Sequence, residues 1–234
     1  MPNLETFVRD IYANGGVTGD AGGRMELMPH SIELEDGEAL RDLAIAEGAS
    51  QTIEVGLALG MSALFLCQAI LARGGASAGH VAIDPFQRTS WDGAGLATLR
   101  AADVDGLVEV IEEESALALP DLVRSGRRFD LAFVDGDHRF ESALGDIVFM
   151  DRLVKPGGLI VVDDMWMPGV RLAVAYAERN LDLRLERDAL PSGFSWRRQS
   201  KLRHGIPEGK GGMAVLRTPK DPPPRPWDRF DEFF

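Results

Sequence analysis

Short apolar runs recur through the middle of the chain, and each is ended or followed by a glycine or an acidic residue. Runs of this length, rich in β-branched residues and bounded by turn formers, predict buried strands. Predicted strands cover 51–55, 80–84, 107–111, 131–134 and 159–162, and a late hairpin covers 181–187 and 212–216. Helical periodicity fills the intervals, and strands alternating with helices require right-handed crossovers. We therefore predict a doubly wound α/β fold with a mostly parallel seven-stranded sheet and helices on both faces.

Composition changes along the chain predict three segments. Residues 1–34 hold an amphipathic piece and a glycine-rich stretch, 15–23, which is either a floppy terminus or a mobile lid with glycine hinges. The α/β domain itself covers 35–220. The tail, 221–234, is Pro-rich and then aromatic, so it is either a disordered end or an arm that packs on another surface, such as a second subunit of a homo-oligomer.

The first predicted strand runs into a glycine turn with the spacing Glu54-x-Gly56-x-x-x-Gly60-x-Ser62. Glycines let a ligand approach the backbone, and the N-terminus of the following helix favours an anionic group. The spacing fits neither a P-loop nor the G-x-G-x-x-G dinucleotide pattern. Asp84 ends the second strand, where an acid can accept hydrogen bonds from both ribose hydroxyls of a nucleoside. This half of the sequence therefore predicts a nucleoside-containing ligand.

Acidic residues also follow the fourth and fifth strands. The first group contains Asp135, Asp137 and His138, and the second contains Asp163 and Asp164. Because the carboxyl ends of parallel strands meet at one edge of the sheet, the two groups are expected to lie together. A cluster of carboxylates must bind a cation, share a proton or repel itself, and Mg²⁺ or another hard divalent cation prefers such oxygen ligands. The alternative is that single aspartates only cap the following helices.

The net charge and composition of the chain restrict the classes of partner that we expect it to bind. The formal net charge is −12 and the sequence has no long Lys/Arg block, so we expect neither nucleic acid nor an anionic membrane as a partner. The N-terminus is acidic and lacks the apolar core of a signal peptide, and no apolar run is long enough to span a bilayer. A cytoplasmic protein that acts on a small molecule fits these observations. Cys67 is the only cysteine, which excludes an internal disulfide.

Several motifs in their order along the chain resemble the class I S-adenosylmethionine-dependent methyltransferases. These are the glycine turn, Asp84, Ser115 after the third strand and Pro-Gly-Gly158 before the fifth, and the resemblance covers roughly residues 35–220. It implies S-adenosyl-L-methionine as cofactor. The implied cofactor-binding residues are Glu54, Gly56, Gly60 and Ser62 at the methionine end, Asp84 at the ribose and Ser115 near the adenine, with Asp135 also counted among them.

The acidic strand ends are similar to those of the Mg²⁺-dependent O-methyltransferases of the catechol and macrocin types. That resemblance implies Asp135, Asp163 and Asp164 as metal ligands, and the Asp-Asp pair is closer to the macrocin type than to the Asp-Asn of the catechol type. His138 stands where the catechol type carries a lysine base, whereas macrocin-type relatives place an acid at Asp137. The implied catalytic residues are therefore His138, with Asp137 as the rival base, in methylation of a small-molecule hydroxyl such as that of a sugar or a phenol.

Other functions remain open from the sequence. One is a metal-independent methyltransferase acting on nitrogen or oxygen, in which the acids only position the substrate. Another is a nicotinamide-dependent oxidoreductase, which the glycine spacing and the lack of a Tyr-x-x-x-Lys pair disfavour. A third is a nucleoside-binding module without catalysis. Trp91, Trp166 and Trp196 either line a substrate pocket or belong to the core.

Overall fold

The computed structural model describes residues 3–74, 78–186, 189–190, 212–221, 224, 226 and 230–232. Seven helices lie in this part of the chain: α1 Leu4–Asn14, α2 Leu34–Ala46, α3 Met61–Arg73, α4 Ala94–Ala101, α5 Ser115–Arg124, α6 Phe140–Leu153 and α7 Pro168–Asn180. The strands in the same residues are β1 Gly16–Thr18, β2 Arg24–Glu26, β3 Gln51–Val55, β4 Gly79–Ile83, β5 Val108–Ile111, β6 Phe129–Val134, β7 Val154–Val162, β8 Arg184–Leu185 and β9 Ala214–Arg217.

Seven of these strands form one sheet in the order β5-β4-β3-β6-β7-β9-β8. The pairs β3–β4, β4–β5 and β6–β7 are parallel, whereas β9 runs antiparallel to both β7 and β8. The predicted fold class, a doubly wound α/β fold with a mostly parallel seven-stranded sheet, is confirmed. The chain divides into two compact units, Met1–Ala118 and Leu119–Phe234.

The first unit is built around α3, which is apolar on all sides. Its side chains from Met61 to Cys67 are all buried, as expected for a helix without a polar face. Helix α2 approaches it closely at Gly37, where an added Cβ would lie 2.1 Å from Phe65 Cε2. Tyr12 of α1 reaches the same phenylalanine, with ring centroids 6.2 Å apart. These contacts fix α3 behind the glycine turn from which it begins.

The glycine-rich N-terminal segment forms a hairpin. Strands β1 and β2 pair antiparallel, and the turn between them is held by Asp20, whose Oδ1 accepts a hydrogen bond from Arg100 Nη2 at 2.6 Å. The backbone N–H of Ala21 donates to Asp92 Oδ2 at 3.0 Å. Each strand has only three residues, too few for a periodic pattern, which explains why the sequence did not predict them. The lid function of this segment stays a prediction.

The second unit contains the parallel pair β6–β7 and the helices α6 and α7. Val134 pairs with Val162 at the carboxyl end of the two strands, so their following residues emerge side by side. The described part of the tail contacts α7, since Asn180 Nδ2 donates to the Asp231 carbonyl at 3.0 Å and Tyr176 stacks near Phe230. Trp196 and most of the residues between 187 and 211 lie outside the described part of the chain. No helix among the described residues is long and apolar enough to cross a membrane.

Candidate active site

The glycine turn after β3 is a tight left-handed segment. Gly56, Ala58 and Gly60 all have positive φ, at 98°, 44° and 87°. Glycine tolerates this conformation because it has no Cβ to clash. Gly60 is also the N-cap of α3, and no described side chain caps that end, so the first N–H groups of the helix lack a side-chain acceptor. Ser62 lies in the first turn of α3 and is 6% exposed.

Asp84 braces this turn from the end of β4. Its Oδ2 accepts the Ala58 N–H at 2.7 Å and the Gln87 Nε2–H at 3.1 Å, while its Oδ1 accepts the Phe86 N–H at 2.7 Å. Gln87 donates to the Ala58 carbonyl as well, at 2.8 Å. The sequence did not single out Gln87, because a glutamine three residues after a strand carries no pattern of its own. The ribose contact assigned to Asp84 stays a prediction.

Glu54 lies fully buried in β3. Its Oε1 lies 3.2 Å from His80 Nε2 on the neighbouring strand, and His80 Nδ1 lies 2.8 Å from Thr52 Oγ1. The distance is that of an ion pair, but the geometry is not that of a hydrogen bond, and both oxygens of Glu54 are buried without a hydrogen-bond partner in the described residues. A buried carboxylate with unfilled acceptor positions fits a cationic group such as the ammonium of a methionine moiety.

Ser115 is the first residue of α5 and is partly exposed. Its assignment to the adenine stays a prediction, as do the cofactor assignments of Gly56, Gly60 and Ser62.

Three titratable side chains meet at the carboxyl ends of β6 and β7. His138 Nε2 lies 2.6 Å from Asp164 Oδ2 and 3.4 Å from Asp135 Oδ1. We call Asp135, His138 and Asp164 the acidic trio. Among the described residues, this is the group of His, Cys, Asp and Glu side chains in which one ligand atom from each lies within 4.8 Å of the others, as a metal site requires. All three side chains are partly buried, so a bound ion would remain accessible to a substrate.

The residues of the trio change one another's pKa. The hydrogen bonds that the His138 imidazole donates to the carboxylates of Asp135 and Asp164, opposed by burial, raise the pKa of His138 to about 10. Burial is the largest single influence on Asp164 and would raise its pKa, but the hydrogen bond and charge of His138 and the hydrogen bond from Trp166 together hold that pKa below the ordinary value. In this arrangement the imidazole is doubly protonated at neutral pH, and its positive charge lies between two carboxylates.

Asp163 lies beside the trio with a different set of contacts. Its side chain is 8% exposed, and its Oδ1 accepts the backbone N–H of Asp164 at 2.7 Å. Asp164 itself adopts φ 54°, a conformation that aspartate tolerates better than most residues. Asp163 thus helps to hold the turn that aims Asp164. Its role as a metal ligand stays a prediction, and the geometry supports it less than it supports Asp135 and Asp164.

Asp137 makes firm contacts away from the trio. Its Oδ2 accepts hydrogen bonds from Arg139 Nε and from Ser142 Oγ, both at 2.8 Å. The hydrogen bond from Arg139 lowers the pKa of Asp137 most. Burial opposes it, but the further hydrogen bond from Ser142 helps to hold this pKa below its usual value. A carboxylate with these partners is a weak proton acceptor, and the assignment of the base to His138 or Asp137 stays a prediction.

Residues 53–165 match a family model described as a methyltransferase domain. The match includes the glycine turn, Asp84 and the whole acidic trio. No curated protein matches the chain.

Solved structures with the same fold cover almost the whole chain. Cofactor-bound Rv0187 from MTB is 19% identical, with a TM-score of 0.65 over 93% of this chain and 90% of that one. An O-methyltransferase from Bacillus cereus, solved with SAH, is 17% identical, with a TM-score of 0.63 over 92% and 90%. The O-methyltransferase TomG from Streptomyces achromogenes, involved in tomaymycin synthesis and solved with SAM, is 21% identical, with a TM-score of 0.62 over 92% and 89%.

The chain therefore carries a match to a methyltransferase domain at residues 53–165, within the fold that these solved structures share.

Proposed function

We propose that this methyltransferase transfers a methyl group to a hydroxyl oxygen of a small molecule, such as a sugar or a phenol, with the help of a divalent cation. The acidic trio is the observation that carries the proposal, because a methyl transfer to carbon or to a neutral amine has no need of two converging carboxylates. The O-methyltransferases from Bacillus cereus and Streptomyces achromogenes support oxygen as the acceptor atom.

The residues fit a divalent cation by their donor chemistry. Asp135 Oδ1 and Asp164 Oδ2 are the carboxylate oxygens nearest to His138 Nε2, and carboxylates suit Mg²⁺ and Mn²⁺. A cation held there would supply a Lewis acid, which would lower the pKa of the acceptor hydroxyl and help to orient it. The predicted third ligand, Asp163, remains part of the proposal as a supporting carboxylate.

His138 is the proposed base that takes the hydroxyl proton. Its Nε2 faces the trio, and Asp137 is held by Arg139 and Ser142 instead. The imidazole accepts a proton only in its neutral form, so it needs the charge of the two carboxylates to be balanced by another cation. Base catalysis of this kind typically contributes about 10²–10⁴-fold in rate.

The glycine turn is the proposed site of S-adenosyl-L-methionine. The buried, unfilled carboxylate of Glu54 suits the ammonium group of the methionine end, and the uncapped N-terminus of α3 suits its carboxylate. Gly56, Gly60 and Ser62 belong to the same turn, Asp84 is the proposed ribose acceptor, and Ser115 is proposed near the adenine. Methyl transfer is an in-line displacement, so the main task of these residues is to hold the donor in one orientation.

The proposal is tested by methyl transfer with and without a cation. Purified protein is incubated with S-adenosylmethionine and a panel of catechols and sugars, and products are identified by mass spectrometry. We expect O-methylated products, loss of turnover with EDTA, and recovery with Mg²⁺ or Mn²⁺. Asp164→Asn should abolish cation-dependent turnover, whereas Asp103→Asn, which replaces another aspartate with positive φ outside the trio, should not.

A metal-independent methyltransferase is the second candidate, favoured by one observation. The imidazolium of His138 itself neutralises part of the charge of Asp135 and Asp164. Turnover that resists EDTA, or products methylated only on nitrogen, would support this candidate and contradict the cation-dependent one.

A further inference from the structure

A short turn connects β7 to α7 and carries the last member of the trio. The N–H of Met167 donates to the Asp164 carbonyl at 2.8 Å, which closes the turn. Arg171 of α7 donates from Nη1 to the Met165 carbonyl at 3.2 Å and also to the Trp166 carbonyl. The backbone on both sides of the Asp164 side chain is therefore fixed.

The two carboxylate oxygens of Asp164 have different partners, because Trp166 binds one of them. Its indole Nε1–H donates to Asp164 Oδ1 at 2.6 Å, while Asp164 Oδ2 lies 2.6 Å from His138 Nε2 within the trio. The indole nitrogen has one hydrogen and can only donate, so it holds Oδ1 and competes with any ion for that oxygen. Trp166 is 40% exposed, so part of the side chain stays in contact with solvent.

We propose that Trp166 is a positioning residue that keeps Asp164 a one-oxygen ligand and thereby favours Mg²⁺ or Mn²⁺ over Ca²⁺. This inference rests on the proposed cation site. Mg²⁺ requires nearly octahedral geometry, with carboxylates that each give one oxygen at about 2.0–2.1 Å, whereas Ca²⁺ takes six to eight oxygens and readily accepts both from one carboxylate. Occupation of Oδ1 by an indole N–H withholds the second oxygen that Ca²⁺ would use.

The test measures two affinities in one variant. Trp166→Phe keeps an aromatic ring of similar character and removes the N–H donor. Isothermal titration of the whole protein with Mg²⁺, and separately with Ca²⁺, gives the ratio of the two affinities. Loss of a group that orients a metal ligand typically weakens binding about 10–100-fold. We expect that loss for Mg²⁺ and little or none for Ca²⁺, so the Mg²⁺/Ca²⁺ ratio should fall at least about tenfold.

Trp91→Phe is the matched control, since Trp91 contacts His30 and belongs to the other unit. The control should leave both affinities unchanged. If Trp166→Phe does not fold, replacement of Trp166 by 3-benzothienylalanine, an isostere with sulfur in place of the N–H, tests the same hydrogen bond.

The possible failures are distinguishable. Equal losses for both cations would show that Trp166 only supports the local fold, and an unchanged ratio would likewise overturn its role in selectivity while the cation site stands. If the wild-type protein binds neither cation, the proposed site fails and the inference fails with it.

Discussion

A cation that enters the acidic trio must compete with a proton. Asp135 and Asp164 raise the pKa of His138 from 6.5 to about 10, so at pH 7 almost every molecule without a cation carries the imidazolium. A cation that takes the place of the imidazolium charge beside the two carboxylates would release this proton. With one proton released per cation, the apparent Mg²⁺ affinity should rise about tenfold per pH unit between pH 7 and pH 9, or about 1.4 kcal/mol per unit.

The stability of the cation-free fold changes with pH in the opposite direction to the Mg²⁺ affinity. Because the pKa of His138 is higher in the folded chain, its imidazolium stabilises the cation-free fold fully below pH 6.5, and this contribution is lost as the pH rises through about 10. Raising the pH should therefore lower the free energy of unfolding of the cation-free protein, whereas the same rise in pH should increase the affinity for Mg²⁺. Thermal unfolding with and without Mg²⁺ separates the two trends.

The assay is isothermal titration of the protein with Mg²⁺ at pH 7, 8 and 9. Titration in two buffers of different ionisation enthalpy counts the protons released at each pH. His138→Gln removes the titrating group and should flatten the pH dependence, whereas His30→Gln, at an exposed histidine, should leave it intact. A flat profile and no proton release in the wild-type protein would refute the charge assignment of the trio.

Two further predictions concern the turn and the base. Gly95→Ala would place a Cβ 2.6 Å from the Ala58 carbonyl, so it should destabilise the fold by about 1–3 kcal/mol in chemical denaturation and weaken S-adenosylhomocysteine binding in calorimetry. Gly106→Ala, with nothing within 4 Å of its added Cβ, should change neither. His138→Ala should lower kcat by about 10²–10⁴-fold at unchanged S-adenosylhomocysteine affinity, and Asp137→Ala should lower kcat less. The reverse order in the pH–rate profiles would make Asp137 the base.

The strands of the sheet were predictable because each buried parallel strand is a continuous apolar run with a clear end. The predicted strand over 51–55 has the same bounds as β3, and that over 80–84 differs from β4 by one residue at each end. The prediction for 159–162 missed the first part of β7, which begins at Val154. Phe129 pairs with Val154 but Leu131 pairs with Leu159, so residues 155–158 bulge from the ladder, and their Pro-Gly-Gly sequence is not typical of a strand.

The composition of the site was predictable only as far as strand ends determine it. Asp135 and Asp164 could be brought together from the sequence because both follow strands whose neighbours in a parallel sheet are constrained. The partners of Asp164 and Asp84 could not be predicted, since the indole of Trp166 and the amide of Gln87 act through hydrogen bonds that leave no periodic signal in the sequence. His80 received no role from the sequence for the same reason, because its approach to Glu54 depends on the register of β3 against β4.

The short contact within the trio links cation binding to the readiness of the base. His138 Nε2 and Asp164 Oδ2 are 2.6 Å apart, the distance of a direct charged hydrogen bond. While His138 supplies the positive charge beside Asp135 and Asp164, the two carboxylates hold its proton and the imidazole is not a base. A divalent cation on the two carboxylates would replace that charge and favour the neutral imidazole, so the proposed base would accept a substrate proton only when the cation site is loaded.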